Sequence, residues 1–453
     1  GYENLNDDQL EFSNAVTYNL VNDKIVKTKL DSEGSFKNKV NKHWKEKTIT
    51  LPDVKVGSII EYKYVLKSEN LVQFPDFDFQ YSIPVNYFEY KTEIPEIYIY
   101  KNILIGGFPV ESNSELVNGT QGFVNEHSQS ASLSYRQINI LYKYKNIPAL
   151  VSEPFVDNLE NYRGAIHQEL ERIRYTDKPD KDYTKTWEGV ATTIFKDDNF
   201  GKELNVQNLF LADVTRLLKD ISSPIERLNV IFKYVQDRMI WNERNSYYVD
   251  VGIAKAYFNQ IGNVAEINFI LINMLKLAGI DVNPVLVSTL ENGVSSYPTR
   301  TGFNYVIVAA TIGGNQILLD ASHKFTTPNI LPLNVLNRKG RLIKSDGTSS
   351  EIDLIPTELS QELSNVVIKI DPLGTVEGKI RRQLGDYKAY DFRVKNAKKN
   401  VDNYIEKLET ELGELKVSEY KIENKTSNFN NPVIEIFSFT SENQIEIIGD
   451  NIF

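Results

Sequence analysis

The chain has 453 residues, 41% hydrophobic and 25% charged, with 51 basic against 61 acidic side chains for a net charge of −10. That length suits about three domains, and without a basic cluster long enough to follow a phosphate backbone, nucleic acid is excluded as a partner. No apolar run reaches bilayer-spanning length and there is no cysteine, which excludes a membrane-spanning helix, disulfides and thiol catalysis.

The first part of the chain reads as sheet. Short alternating segments run from Glu11 to Tyr100, among them Asn14–Leu20, Lys24–Leu30 and Gly57–Leu66, with a turn at Asn22-Asp23 and breaks at Pro52, Pro75, Pro84 and Pro95. This predicts an antiparallel, sandwich-like domain. Tyr81, Tyr87, Phe88 and Tyr90 are assigned to sheet cores and cross-strand pairs rather than to a ligand platform. The polar, patternless stretch from Val110 to Ser134 is expected to be a long loop. His167, Glu169 and Glu171 alternate along one strand face, a spacing that a solvated face explains without a metal. The pieces Thr17–Leu20, Lys24–Lys27, Leu51–Val54 and Gly57–Tyr62 resemble the domain of unknown function numbered 3857, over residues 1 to about 200. In Bacteroidetes proteins that domain precedes a transglutaminase-like core.

Helices are predicted over Val206–Asp220 and Ser223–Met239, the second with Ser223 as cap, Pro224 in the first turn and Leu228, Ile231, Phe232 and Val235 on one face. Trp241 follows. The next helix is signposted at both ends: Asn263 caps it, Glu266 completes a capping box, and Gly279 stops it. Between them Val264, Ala265, Ile267, Phe269, Ile270, Leu271, Ile272, Met274, Leu275 and Leu277 leave almost no polar face, so it should be buried on most sides. An apolar strand around Asn304–Ala310, a turn at Gly313-Gly314 and a strand at Gln316–Leu319 lead to Asp320. Asp320, Ser322 and His323 supply the residue types of a triad, but residues so close in one loop seldom converge on one reacting atom, so a solvated histidine is expected. The other histidines, His43, His127 and His167, are scattered.

The segment Gly262–Ile280 resembles the transglutaminase-like, papain-like core, and order and spacing agree over roughly Ser223–Thr326. The resemblance implies a cysteine nucleophile where this chain has Val264, a histidine where it has Asn304, and an orienting acid at Asp320, a residue that could equally be a turn or cap aspartate. It also implies that Trp241 lies near the cleft, although packing alone would explain that residue. A thiol at this helix start would be activated by the dipole and the free amides. Valine cannot attack.

Past Pro356 the chain returns to strands at Asn365–Ile370, Gly374–Ile380 and Val433–Phe439, with a helical patch near Asp386–Leu412. The expected architecture is a multidomain α+β chain: residues 1–200 a β-rich domain, 201–345 the transglutaminase-like core, and 346–453 a β-rich C-terminal domain that in similar proteins continues further.

Trp241, Asn263, Val264, Asn304 and Asp320 are the candidate cleft-lining residues, with no catalytic set intact and no metal or cofactor implied. The leading expectation is a catalytically inactive module that binds a peptide or cell-envelope glycan. A hydrolase or acyltransferase of protease or amidase type, using non-standard residues such as Asp320 with a water, is the alternative; a purely structural spacer is another. The resemblance places the chain in the periplasm or at the cell surface, with a leader removed.

Overall fold

The computed structural model describes residues 2–4, 8–31, 34–39, 44–69, 71, 74–124, 130–154, 156, 158–175, 177–182, 186–294, 298–300, 302–413, 415–441, 447–448 and 451–452. His43 and His127 lie outside them. The chain is multidomain and strand-rich, and divides into two compact units: residues 1–148 with 164–182, and residues 149–163 with 183–453.

The first unit is built from antiparallel strands. Tyr2–Asn4 (β1), Ser35–Lys39 (β4) and Trp44–Ile49 (β5) form one sheet, and Gln9–Val21 (β2), Lys24–Lys29 (β3) and Ile59–Lys67 (β6) another. β2 and β3 join through the predicted two-residue turn, where Asn22 and Asp23 both take positive φ (51° and 58°) as the twist of a tight hairpin requires. Phe77–Asp78 (β7), Tyr98–Ile105 (β9) and Lys181–Asp182 (β13) all pair with Ala165–Ile173 (β12). In β12 His167, Glu169 and Glu171 are all half-buried between the buried Ile166, Gln168 and Leu170, and the register shifts between Leu170 and Arg172, with Glu171 the extra residue of the bulge. His167 Nδ1 lies 3.2 Å from Asp76 Oδ1.

The expected loop at Val110–Ser134 is mostly strand. Glu111–Val124 (β10) pairs residue for residue with Ser130–Ile147 (β11), which also pairs with Val85–Pro95 (β8); residues 125–129 lie outside the described set. Most described residues of β10 are exposed, so neither face writes an apolar period into the sequence, while the backbone ladder is satisfied all the same. Of the four aromatics, Phe88 and Tyr90 do pack in a core, stacking on Phe79 at 4.6 Å and Phe77 at 4.2 Å. Tyr81 and Tyr87 are exposed and anchored by hydrogen bonds to the Asp78 carbonyl and Glu89.

The second unit wraps helices around one central helix. Trp187–Phe195 (α1), Leu211–Leu217 (α2), Pro224–Arg238 (α3) and Ile253–Asn259 (α4) precede Val264–Leu277 (α5), of which twelve residues are buried. The helix expected over Val206–Asp220 is split into a 3-10 turn at Gln207–Phe210 and the short α2. A two-stranded parallel pairing joins Ile240–Trp241 (β14) to Ile261–Gly262 (β15), the residues that lead into α5. Against α5 lies an antiparallel sheet of Asp281–Val287 (β16), Tyr305–Ile312 (β17), Asn315–Leu319 (β18), Lys339–Ile343 (β19) and Ser349–Asp353 (β20), in the order β18-β17-β16-β19-β20. β16 and the first part of β17 are buried on both faces, hence their continuous apolar runs. Glu362–Ile370 (β21), Val376–Leu384 (β22), Lys416–Glu423 (β23) and Val433–Ser441 (β24) form a further antiparallel sheet, with Asp386–Asn396 (α6) and Val401–Glu411 (α7) packed through Ala389, Phe392, Tyr404 and Leu408.

Candidate functional site

The start of α5 is closed by its own polar groups. Asn263 Oδ1 accepts from the Glu266 amide at 2.9 Å and Glu266 Oε2 accepts from the Asn263 amide at 2.8 Å, forming the predicted capping box. Glu266 Oε1 also accepts from the amides of Asp250 (2.9 Å) and Val251 (2.6 Å), so a carboxylate only 1% exposed meets three backbone donors at the positive end of a helix. The close approach explains Gly262, where a Cβ would come within 2.9 Å of Glu266 Cβ. Val264 is 0% exposed and its amide donates to the Arg244 carbonyl at 3.3 Å. Asn263 Nδ2 donates to the Tyr248 carbonyl at 2.9 Å. Val264 thus offers no open surface where a nucleophile would stand, and its own amide is already bonded.

Asn304 and Asp320 are not brought together. Asn304 faces Thr289, donating from Nδ2 to its hydroxyl and accepting from its amide, both at 2.9 Å. The next residue, Tyr305, reaches Asp320: its hydroxyl donates to Asp320 Oδ2 at 2.6 Å. Neighbours on a strand point to opposite faces, so one step in register decides which side chain meets the acid. Asp320 is fully buried, and its Oδ1 accepts from Ser322 Oγ (2.6 Å), the Ser322 amide (2.9 Å) and Asn268 Nδ2 (3.0 Å). Asn268 also ties α5 to the sheet by donating to the Val306 carbonyl and accepting from the Ala321 amide. Burial, then the neighbouring Asp320 carboxylate, pushes the Tyr305 hydroxyl well above the usual tyrosine range.

His323 joins this network instead of standing in solvent. Its Nδ1 lies 3.0 Å from Ser322 Oγ, 3.3 Å from the Tyr305 hydroxyl and 3.9 Å from Asp320 Oδ2. Ser322 and Tyr305 both direct their protons to Asp320, which leaves their oxygens to accept from the His323 Nδ1 side. The ring packs on Trp241, centroids 4.7 Å apart, and Trp241 Nε1 donates to the Arg244 carbonyl at 3.1 Å. The Asp–Ser–His convergence that three near neighbours seldom achieve is reached here because the turn after β18 is held by Thr326, whose hydroxyl donates to the Asp320 and His323 carbonyls.

The participants not singled out by sequence reasoning include Tyr305, Asn268, Arg244, Thr289 and Thr326. For Asn268 the signal was available, since an asparagine in an otherwise apolar buried helix demands partners.

Comparison with known proteins gives a fold and one domain. A family model described as a Domain of Unknown Function with solved structure (DUF3857) matches residues 8–131, a shorter span than the 1 to about 200 expected. No curated protein matches the chain. The crystal structure of a candidate protease from Parabacteroides distasonis ATCC 8503 aligns with a TM-score of 0.57 at 12% identity, covering 97% of this chain and 84% of that one, a likeness of fold. A candidate cysteine protease from Cytophaga hutchinsonii aligns with a TM-score of 0.23 at 11% identity over 61% of this chain and 83% of that one.

Proposed function

We propose that this chain is a catalytically silent member of the transglutaminase-like group, kept at the cell envelope, in the periplasm or on the surface, as a binding or structural module for a peptide or glycan. In this reading the first unit carries the sandwich-like DUF3857 domain, the α5 region is the former enzyme core, and the sheet from β21 onward is the β-rich C-terminal domain. The protease-like fold of the Parabacteroides structure supports the ancestry. The observation that carries the reading is Asp320: the acid that would orient a catalytic histidine is occupied by Tyr305, Ser322 and Asn268, and the position where the thiol would sit is a buried valine.

The test restores the chemistry. Because Tyr305, and not Asn304, reaches Asp320, the informative variant is Val264→Cys with Tyr305→His. Alkylation of this variant by iodoacetamide, faster than in Val264→Cys alone, is expected if only the reacting groups were lost. Peptidase, amidase or cross-linking activity in the unaltered protein would overturn the proposal.

One observation favours a second reading, a hydrolase using water. His323 is oriented as a general base would be, Nδ1 held through two hydroxyls against a carboxylate while Nε2 makes no hydrogen bond among the described residues. Under that reading a panel of amide and ester substrates would reveal turnover that His323→Gln abolishes.

A further inference from the structure

Away from the closed start of α5, the second unit contains a cavity of about 1060 Å3 lined by α3, by the chain around β18 and by the chain before and after β21. Several of its polar side chains have no partner among the described residues. The side-chain amides of Asn229, Gln316, Gln361 and Asn430 line it without a hydrogen bond among the described residues, and Glu358 and Asp386 line it without an ion pair among them. The buried Arg393, by contrast, is engaged: it donates to the carbonyls of Asn424 (3.1 Å), Phe429 (2.8 Å) and Asn431 (2.6 Å), building the wall that carries Asn430.

Two sheet edges meet this space. β18 ends the central sheet and β21 ends the C-terminal sheet, and Gln316 and Leu363 on these strands both line the cavity. On β18 the Leu318 amide donates to Asn329 Oδ1 at 2.9 Å and the Leu318 carbonyl accepts from the Asn329 amide at 2.8 Å, so the backbone of Leu318 faces away from β17. Strand geometry repeats every two residues, which places the Gln316 amide and carbonyl on the same open edge. An exposed edge presenting a donor and an acceptor side by side is complementary to another extended backbone. The aromatic lining does not offer a flat sugar platform: Phe325 packs edge-on against Phe429 at 5.3 Å, and Tyr387 against Tyr390 at 6.3 Å.

We infer that this cavity binds an extended peptide bearing a basic side chain, its backbone pairing with the edge at Gln316, its polar groups met by the four amides and its cation by Glu358 and Asp386. The inference rests on the reading of the chain as a binding module and moves the binding site away from Val264.

The experiment uses the whole chain and a fluorescein-labelled octapeptide of alternating Val-Lys-Val-Thr, its Lys-to-Gln counterpart, and a labelled N-acetylhexosamine oligomer, read by fluorescence anisotropy. The lysine peptide should bind, and Gln316→Pro, which removes the edge donor, should weaken it about tenfold or more. Glu358→Gln with Asp386→Asn should weaken the lysine peptide and leave the glutamine peptide unchanged. Gln361→Trp fills the cavity without altering a strand, and should weaken both peptides with an unchanged thermal melt, which guards against misfolding of the proline variant. Peptide binding untouched by these variants but lost in Trp241→Ala would overturn the inference and leave the binding-module reading standing. Binding of the sugar oligomer alone, blocked by Gln361→Trp, would overturn the peptide assignment. Binding of neither probe would overturn both.

Discussion

At the start of α5 the Glu266 carboxylate is 1% exposed and answers three backbone amides, and nearby Asp320 answers two hydroxyls, an amide and an asparagine. Along the cavity between β18 and β21, four side-chain amides make no hydrogen bond and two carboxylates no ion pair among the described residues. Groups taken out of water must find partners inside the fold or cost several kcal/mol, roughly 1–3 for a neutral group and more for a charge. Groups at a cavity rim stay hydrated and carry no such demand. A site that has turned its polar atoms inward has become structure, and one that holds them outward retains the capacity to bind.

The contrast can be broken by substitution. The largest expected loss is Glu266→Gln, which places an amide NH2 against backbone donors: about 3–4 kcal/mol of unfolding free energy by urea titration. A loss below about 1 kcal/mol would mean that the carboxylate is not the structural group described. Asp320→Asn comes next, at about 2–3 kcal/mol, since Tyr305, Ser322 and Asn268 then compete for one acceptor oxygen. Tyr305→Phe should cost about 1–2 kcal/mol at neutral pH by leaving Asp320 Oδ2 and His323 Nδ1 short of a partner.

The same tyrosine gives a pH test. Its folded-state pKa is raised above the ordinary 10.0 of the unfolded chain, so its contribution is fully present below pH 10 and is lost as pH rises from there toward the raised value. The stability difference between the unaltered protein and Tyr305→Phe should therefore shrink above pH 10, and a constant difference would contradict the burial argument. Smallest of all, Asn430→Ala at the cavity rim should stay within about 0.5 kcal/mol of the unaltered protein.

Much of this was legible in the chain before any coordinates. The Asn263–Glu266 box, the stop at Gly279, the tight turn at Asn22-Asp23 and the buried run through α5 are written in local residue choice and period, because capping, hairpin turns and amphipathicity act over a few neighbouring residues. The absence of cysteine is equally a property of the sequence alone. The strand β10 and the start of β11 were not legible, since a ladder exposed to water leaves no hydrophobic alternation to read.

What only the tertiary structure decided are the long-range choices. Asn304 or Tyr305 could have met Asp320, and the pleat and register of β17 against β18 selected Tyr305. Ser322 and His323 could have stood in water, and the Thr326 tie and the face of Trp241 drew them into the same cluster. The cavity between β18 and β21 exists because two sheets end beside each other, and no window of sequence records that neighbourhood. Sequence thus determined that the chain cannot act through a thiol, since composition fixes chemistry. Three-dimensional packing determined which polar groups remain open to a ligand, because exposure depends on residues far apart along the chain.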